Sequence, residues 1–169
     1  MHAIRLFLLI AFACLAAVPR ALAAPFVSPH GYSVTPAPQW QANHSGVMGS
    51  DVIIFTRAAG GFAPNLNVVI VPAQPGQTME QGQAQIAAMY PHAFTQFHMV
   101  KTGYEPVGGV RALLVMGIYV QGTSHLSMRQ DIVLKNGKVY TFTCTVPLAM
   151  QARYASAFSQ MLHSVRWSR

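Results

Sequence analysis

The chain has 169 residues, enough for one domain with a real core. It carries 11 Lys and Arg against 4 Asp and Glu, but the basic residues are scattered and form no run, which argues against nucleic-acid binding. With four carboxylates, no G-x-S-x-G, no H-E-x-x-H, no phosphate-binding glycine loop and no C-x-x-C, the common hydrolytic, metalloprotease, nucleotide and thiol-redox chemistries lack their parts.

The first residues read as a secretory signal peptide. His2 to Arg5 gives a short basic start, Leu6 to Val18 an apolar stretch, and Ala21-Leu22-Ala23 an A-x-A cleavage pattern. The apolar run is too short to span a bilayer, and no later run qualifies. Residues 1–24 are therefore assigned to the signal peptide, cut after Ala23 or Ala24. Residues 25–169 are read as one soluble, exported, monomeric domain, periplasmic or secreted. A lipid anchor on Cys14 is disfavoured, because Ala11-Phe12-Ala13 matches the lipobox poorly. Once Arg5 and Arg20 are removed, nine basic residues face four acidic ones, a mild excess that favours anionic partners. Cys144 is then the one thiol left, so no internal disulfide forms. Its place on an apolar strand face predicts a buried, inert side chain.

In chain order, residues 26–37 are kept extended and irregular by Pro25, Pro29, Pro36 and Pro38, with a short edge strand at 31–34. Trp40 anchors this segment as a core or rim aromatic. Residues 43–50 form a polar loop, 52–56 a strand, 58–64 a loop containing Gly60-Gly61, and 66–71 the next strand. A helix follows over 78–90. Thr78 caps it, Gln81 completes a capping box, and Met79, Gly82 or Gln83, Ile86 and Met89 or Tyr90 form its inward stripe. Pro91 is expected to stop it. Residues 94–107 form a long strand with Gly103 as the break, and Gly108-Gly109 turns into a strand over 110–121. The second helix spans 149–163, with Met150, Tyr154, Ala157 or Phe158, Met161 and Val165 at helical spacing. Trp167 docks the tail.

The strongest local signal is Asn136-Gly137 between two alternating strands, a hairpin turn in which both central residues need φ > 0. A two-residue loop sets Leu134 opposite Val139. It then sends the apolar set Leu126, Met128, Ile132 and Leu134 to one side of the sheet, and Tyr140, Phe142, Cys144 and Val146 to the other. A three-residue loop would bring both sets to one side; period-two alternation makes the choices exclusive. The strand over 110–121 is apolar on both faces, which favours the two-residue loop and a sheet covered on both sides.

This order of elements, together with Gly31-Tyr32-Ser33-Val34, Pro38-Gln39-Trp40, Asn65-Leu66-Asn67-Val68, Gly137-Lys138-Val139-Tyr140, Phe158 and Ser164, resembles the PsbP-like families, including the exported bacterial DcrB-like branch. The resemblance covers nearly all of residues 26–167. It implies an α+β fold, an antiparallel β-sheet sandwiched between helices, and a non-enzymatic module that binds an assembly or a protein partner. It carries no catalytic motif and no cofactor. The expected function is an exported binding module of the cell envelope whose partner is an envelope protein or an anionic surface.

The candidate partner surface is a polar strip of Arg129 and Asp131, extended by Arg111 and Tyr119, with the loops 43–50 and 57–64 as a second candidate. Arg129 and Asp131 share a strand face, so they can also form a structural charge pair. If a helix covers that face, they become a buried pair and no partner site. The rival reading is an exported copper site from His98, Met99, His125 and Met128, since such sites favour imidazole and thioether ligands. Neighbours on a regular strand point to opposite faces, which separates His98 from Met99 and His125 from Met128. A small hydrolase is the third reading. It would need a carboxylate pair drawn from Asp51, Glu80, Glu105 and Asp131.

Overall fold

The computed structural model describes residues 23–58 and 61–168. Most of the signal-peptide assignment, and Cys14 with it, lies outside the described residues. Strands β1 (Phe26–Ser28), β2 (Tyr32–Val34) and β3 (Gln41–Asn43) lead into β4 (Val52–Phe55) and β5 (Asn65–Pro72). Helix α1 (Met79–Ala93) follows, then four long strands: β6 (Thr95–Val107), β7 (Val110–Gln121), β8 (Ser124–Lys135) and β9 (Lys138–Pro147). Helix α2 (Gln151–His163) and the short β10 (Arg166–Trp167) close the chain. A seven-stranded sheet runs β3-β4-β5-β9-β8-β7-β6, and its neighbouring strands pair antiparallel.

The β8–β9 hairpin has the two-residue loop. Leu134 pairs Val139, and Asn136 and Gly137 sit at φ 52° and 69°. The register then sorts every side chain. Leu66, Val68, Val133, Phe142, Cys144 and Val146 face α2, where they join Phe158, Met161 and Leu162 in the main core. Leu113, Val115 and Ile132 face α1 and form a smaller core with Met79, Ile86 and Tyr90. Both faces are covered, unequally: α2 buries three side chains fully and α1 none. Met89 stays exposed, so Tyr90 completes the α1 stripe.

Three expectations change. First, α1 does not stop at Pro91. Proline removes only its own N–H, and this close to the helix end the ladder closes around it, with the Phe94 N–H donating to the Tyr90 carbonyl at 3.0 Å. Second, β6 breaks near its start and not at Gly103. Register shifts lie between Thr95 and His98 and between Met99 and Lys101, whereas Gly103 pairs Leu114 in register. The irregular start lets the Phe97 ring lie over Gly117 among Tyr90 and Phe94. Third, β2 is the middle of a second, three-stranded sheet, between β1 and β10. Trp167 seats this sheet: its ring packs against Tyr32, Tyr140 and Phe142, and its Nε1–H donates to the Val107 carbonyl at 3.0 Å.

Candidate binding groove

A concavity of about 860 Å³ opens where the β3–β4 end of the sheet meets the start of α2. Three local structures build it. A tight turn closed by the Trp40 N–H on the Ala37 carbonyl (3.0 Å) places Gln39 on the wall, with its backbone at φ 69°. Pairing of β3 with β4 sets Gln41 opposite Phe55. The Thr56 N–H donates to the Pro64 carbonyl at 3.1 Å, which pins the base of the loop that presents Arg57 and Ala58. The far wall is Arg153 and Tyr154, in the first turns of α2. Trp40 is the keystone: nine-tenths buried, it meets Tyr154 and Phe158 edge-on at 6.0 and 5.5 Å and holds helix and strand together.

The groove is cationic without compensation. Arg57 and Arg153 are exposed, and among the described residues no carboxylate lies within ion-pair distance of either. The Arg153 guanidinium lies over the Tyr154 ring at 5.5 Å, a contact that leaves its donors free. Arg153 also occupies the first turn of its helix, the end where the backbone dipole disfavours a cation. Its charge therefore does not stabilise the helix through the dipole.

The four carboxylates are engaged elsewhere. Asp51 Oδ2 accepts from Ser28 Oγ at 2.6 Å and from the Tyr32 hydroxyl at 2.7 Å, and His30 Nε2 lies 3.7 Å from its Oδ1. Burial, and then this acceptor, push the Tyr32 phenol far above its ordinary value. Glu80 meets Arg111 at 3.4 Å. Its carboxyl is held low by its own backbone N–H, with Arg111 adding to the effect. Glu105 takes Lys101 at 3.9 Å and Arg129 at 2.9 Å. Asp131, fully buried, receives Arg129 Nε and Nη2 at 2.7 and 2.8 Å. That fork raises the guanidinium further above its already high value.

The sequence-predicted strip is divided between the two faces of the sheet. Arg129 and Asp131 pair on the α2 side, opposite Cys144 and Phe142. Arg111 and Tyr119 lie on the α1 side, Arg111 3.7 Å above the Tyr104 ring and Tyr119 against Phe94. The register pairs odd positions of β7 with even positions of β8, as in Leu113 with Ile132, so the alternation that buries both apolar sets puts Arg111 and Tyr119 on one face and Arg129 and Asp131 on the other. The copper candidates divide the same way. His98 and His125 lie on the α2 side, on strands separated by β7, whereas Met99 and Met128 lie on the other. Of the sites named from sequence, the loop 57–64 is the one that reaches the groove. Gln39, Arg153 and Tyr154 were missed. The available signal was a basic residue in the first turn of α2 with no acidic neighbour.

No protein-family model and no curated protein sequence matches the chain. Solved structures do. LpqN of Mycobacterium tuberculosis, described as involved in cell envelope biogenesis, superposes at TM-score 0.64 and 12% identity, over 86% of this chain and 90% of that one. Cyanobacterial PsbP (CyanoP) of Synechocystis sp. PCC 6803 gives 0.62 and 15%, over 92% and 98%. The Ran-binding protein Mog1p of Saccharomyces cerevisiae gives 0.55 and 8%, over 86% and 96%. These likenesses establish the fold class expected from the sequence.

Proposed function

We propose that this chain of PsbP-like fold is an exported, non-catalytic module of the cell envelope that docks a protein partner in the groove between Arg57 and Arg153. The carrying observation is the pair of arginines without counter-charges in one concavity of about 860 Å³, while all four carboxylates are bound to internal partners. Uncompensated charge in a concave site raises the local concentration of an oppositely charged partner and speeds encounter. The signal-peptide pattern supports export. Among the described residues, no helix is long and apolar enough to cross a membrane. The envelope role described for LpqN and the protein-binding role in Mog1p's name are in keeping with this reading. The DcrB-like branch belongs to the same proposal and is supported by the ordered sequence motifs.

Site-directed photocrosslinking in the native envelope tests it. A benzoylphenylalanine at Gln41 should give adducts with a defined envelope protein, and Arg57→Glu with Arg153→Glu should abolish them. The same probe at Tyr104, across the sheet, should give none. No adduct from position 41, or the same adducts from both positions, would overturn the assignment.

A further inference from the structure

We infer that the groove takes an extended acidic peptide segment of its partner, with the segment's carboxylates on Arg57 and Arg153 and its backbone along the amides of Gln39 and Gln41. The inference rests on the docking role proposed above and adds the chemistry of what docks.

Charge sets the sign of the ligand. The groove wall holds two guanidiniums and no acid, and guanidinium presents parallel N–H donors that match a carboxylate. The same sign excludes a second copy of this chain as occupant, since the chain is itself basic and its four carboxylates are already engaged. Shape separates a chain-like anion from a membrane. The arginines line a concave space between α2 and the loop after β4, which a flat bilayer cannot enter. The cations of the long strands do not extend this site into a membrane-facing plane: Lys101, Arg111 and Arg129 are each paired to a carboxylate, and Lys135 and Lys138 lie at the β8–β9 hairpin, beside Pro72 and at the other end of β5 from the Asn65–Phe55 pair that borders the groove.

The backbone supplies the remaining match. β3 is an outermost strand of the seven-stranded sheet, paired on one side to β4, and its three residues are all exposed. Gln41 belongs both to this open edge and to the groove. An extended peptide can pair with an open edge through its main chain while its side chains select by pocket. Gln39 and Gln41 offer amide donors and acceptors to peptide groups, and Phe55 and Tyr154 offer apolar surface beside them.

Fluorescence anisotropy with the full chain purified from its host tests the inference. The probe is fluorescein-labelled deca-glutamate; deca-lysine is the control, and vesicles of equal phosphatidylglycerol and phosphatidylcholine are the second arm. Deca-glutamate should bind and deca-lysine should not. Arg57→Gln with Arg153→Gln should weaken binding about tenfold or more, one factor of ten being about 1.4 kcal/mol. Arg111→Gln, whose partner is Glu80, should leave binding unchanged. Raising NaCl from about 50 to about 300 mM should weaken it in the wild type and much less in the double variant. No binding of deca-glutamate, or equal binding by the double variant, overturns the inference. So does vesicle binding that is stronger than peptide binding and lost in the double variant, which would assign the arginines to anionic lipid. If position 41 crosslinks an envelope protein through a segment free of Asp and Glu, the acidic-peptide inference falls while the docking role stands.

Discussion

Replacing Asp131 by Ala removes the fully buried half of an ion pair whose other member, Arg129, is 28% exposed, and leaves that guanidinium partly desolvated. Asp131 receives two N–H donors from Arg129, at 2.7 and 2.8 Å, among Phe142, Leu114 and Cys144. Breaking a buried pair from one side typically costs about 3–5 kcal/mol, because the remaining charge loses its compensation. Arg129 keeps Glu105 at 2.9 Å, and that carboxylate is 41% exposed, so the lower end of the range, about 3 kcal/mol, applies. For a domain of this size that is roughly a 6–12 °C fall in Tm, a large fraction of total stability. Arg129→Met with Asp131→Ala removes both charges. The double variant should lose less than the sum of the singles by about 1–3 kcal/mol, the coupling expected of groups in direct contact. Urea denaturation of the four proteins closes the cycle. A loss below about 1 kcal/mol for Asp131→Ala, or strict additivity, would refute the assignment of this pair as a structural element on the covered face.

Gly108→Ala should destabilise by about 2 kcal/mol or more, since Gly108 has φ 57° and an added Cβ would lie 2.7 Å from Trp167 Nε1 and 2.9 Å from the Val165 carbonyl. Differential scanning calorimetry, together with loss of the near-ultraviolet Trp signal, reads it; an unchanged Tm would mean Trp167 is not docked there. Burial raises the Cys144 thiol well above its ordinary value, so Ellman's reagent should label it only as fast as the protein unfolds. Rapid labelling under native conditions would contradict its burial. The Tyr32 phenol is raised in the folded state, so the unfolded chain releases its proton first. Its contribution is complete below about pH 10 and declines above it. Tyr32→Phe should lose about 1 kcal/mol at pH 7, from the hydroxyl donated to Asp51, and should flatten the alkaline decline in urea midpoints. An equally steep decline in the variant would remove Tyr32 as its source.

Much of the sheet was legible because its determinants are local. Asn136-Gly137 sets both the turn and its length, and turn length sets register. Register in turn sends Ile132 to the α1 face and Phe142 to the α2 face. The capping box at Thr78 and Gln81 is a contact three residues long, and it forms as read. Where sequence reading failed, distant segments decided. β2 gains a second neighbour in β10, more than a hundred residues away, and the break in β6 follows the space that Gly117 leaves for Phe97. The division of Arg111 and Tyr119 from Arg129 and Asp131 needed the register between two strands, β7 and β8.

Alternation, the hairpin and the two amphipathic helices are written locally in the chain, because each depends on side-chain periodicity within a few residues. The groove is a product of long-range packing. Gln39, Phe55, Arg57 and Arg153 come from a turn, a strand end, a loop and a helix start, and they meet because Trp40 packs between Tyr154 and Phe158. No spacing in the chain encodes that convergence, since it is fixed by long-range packing of one aromatic side chain.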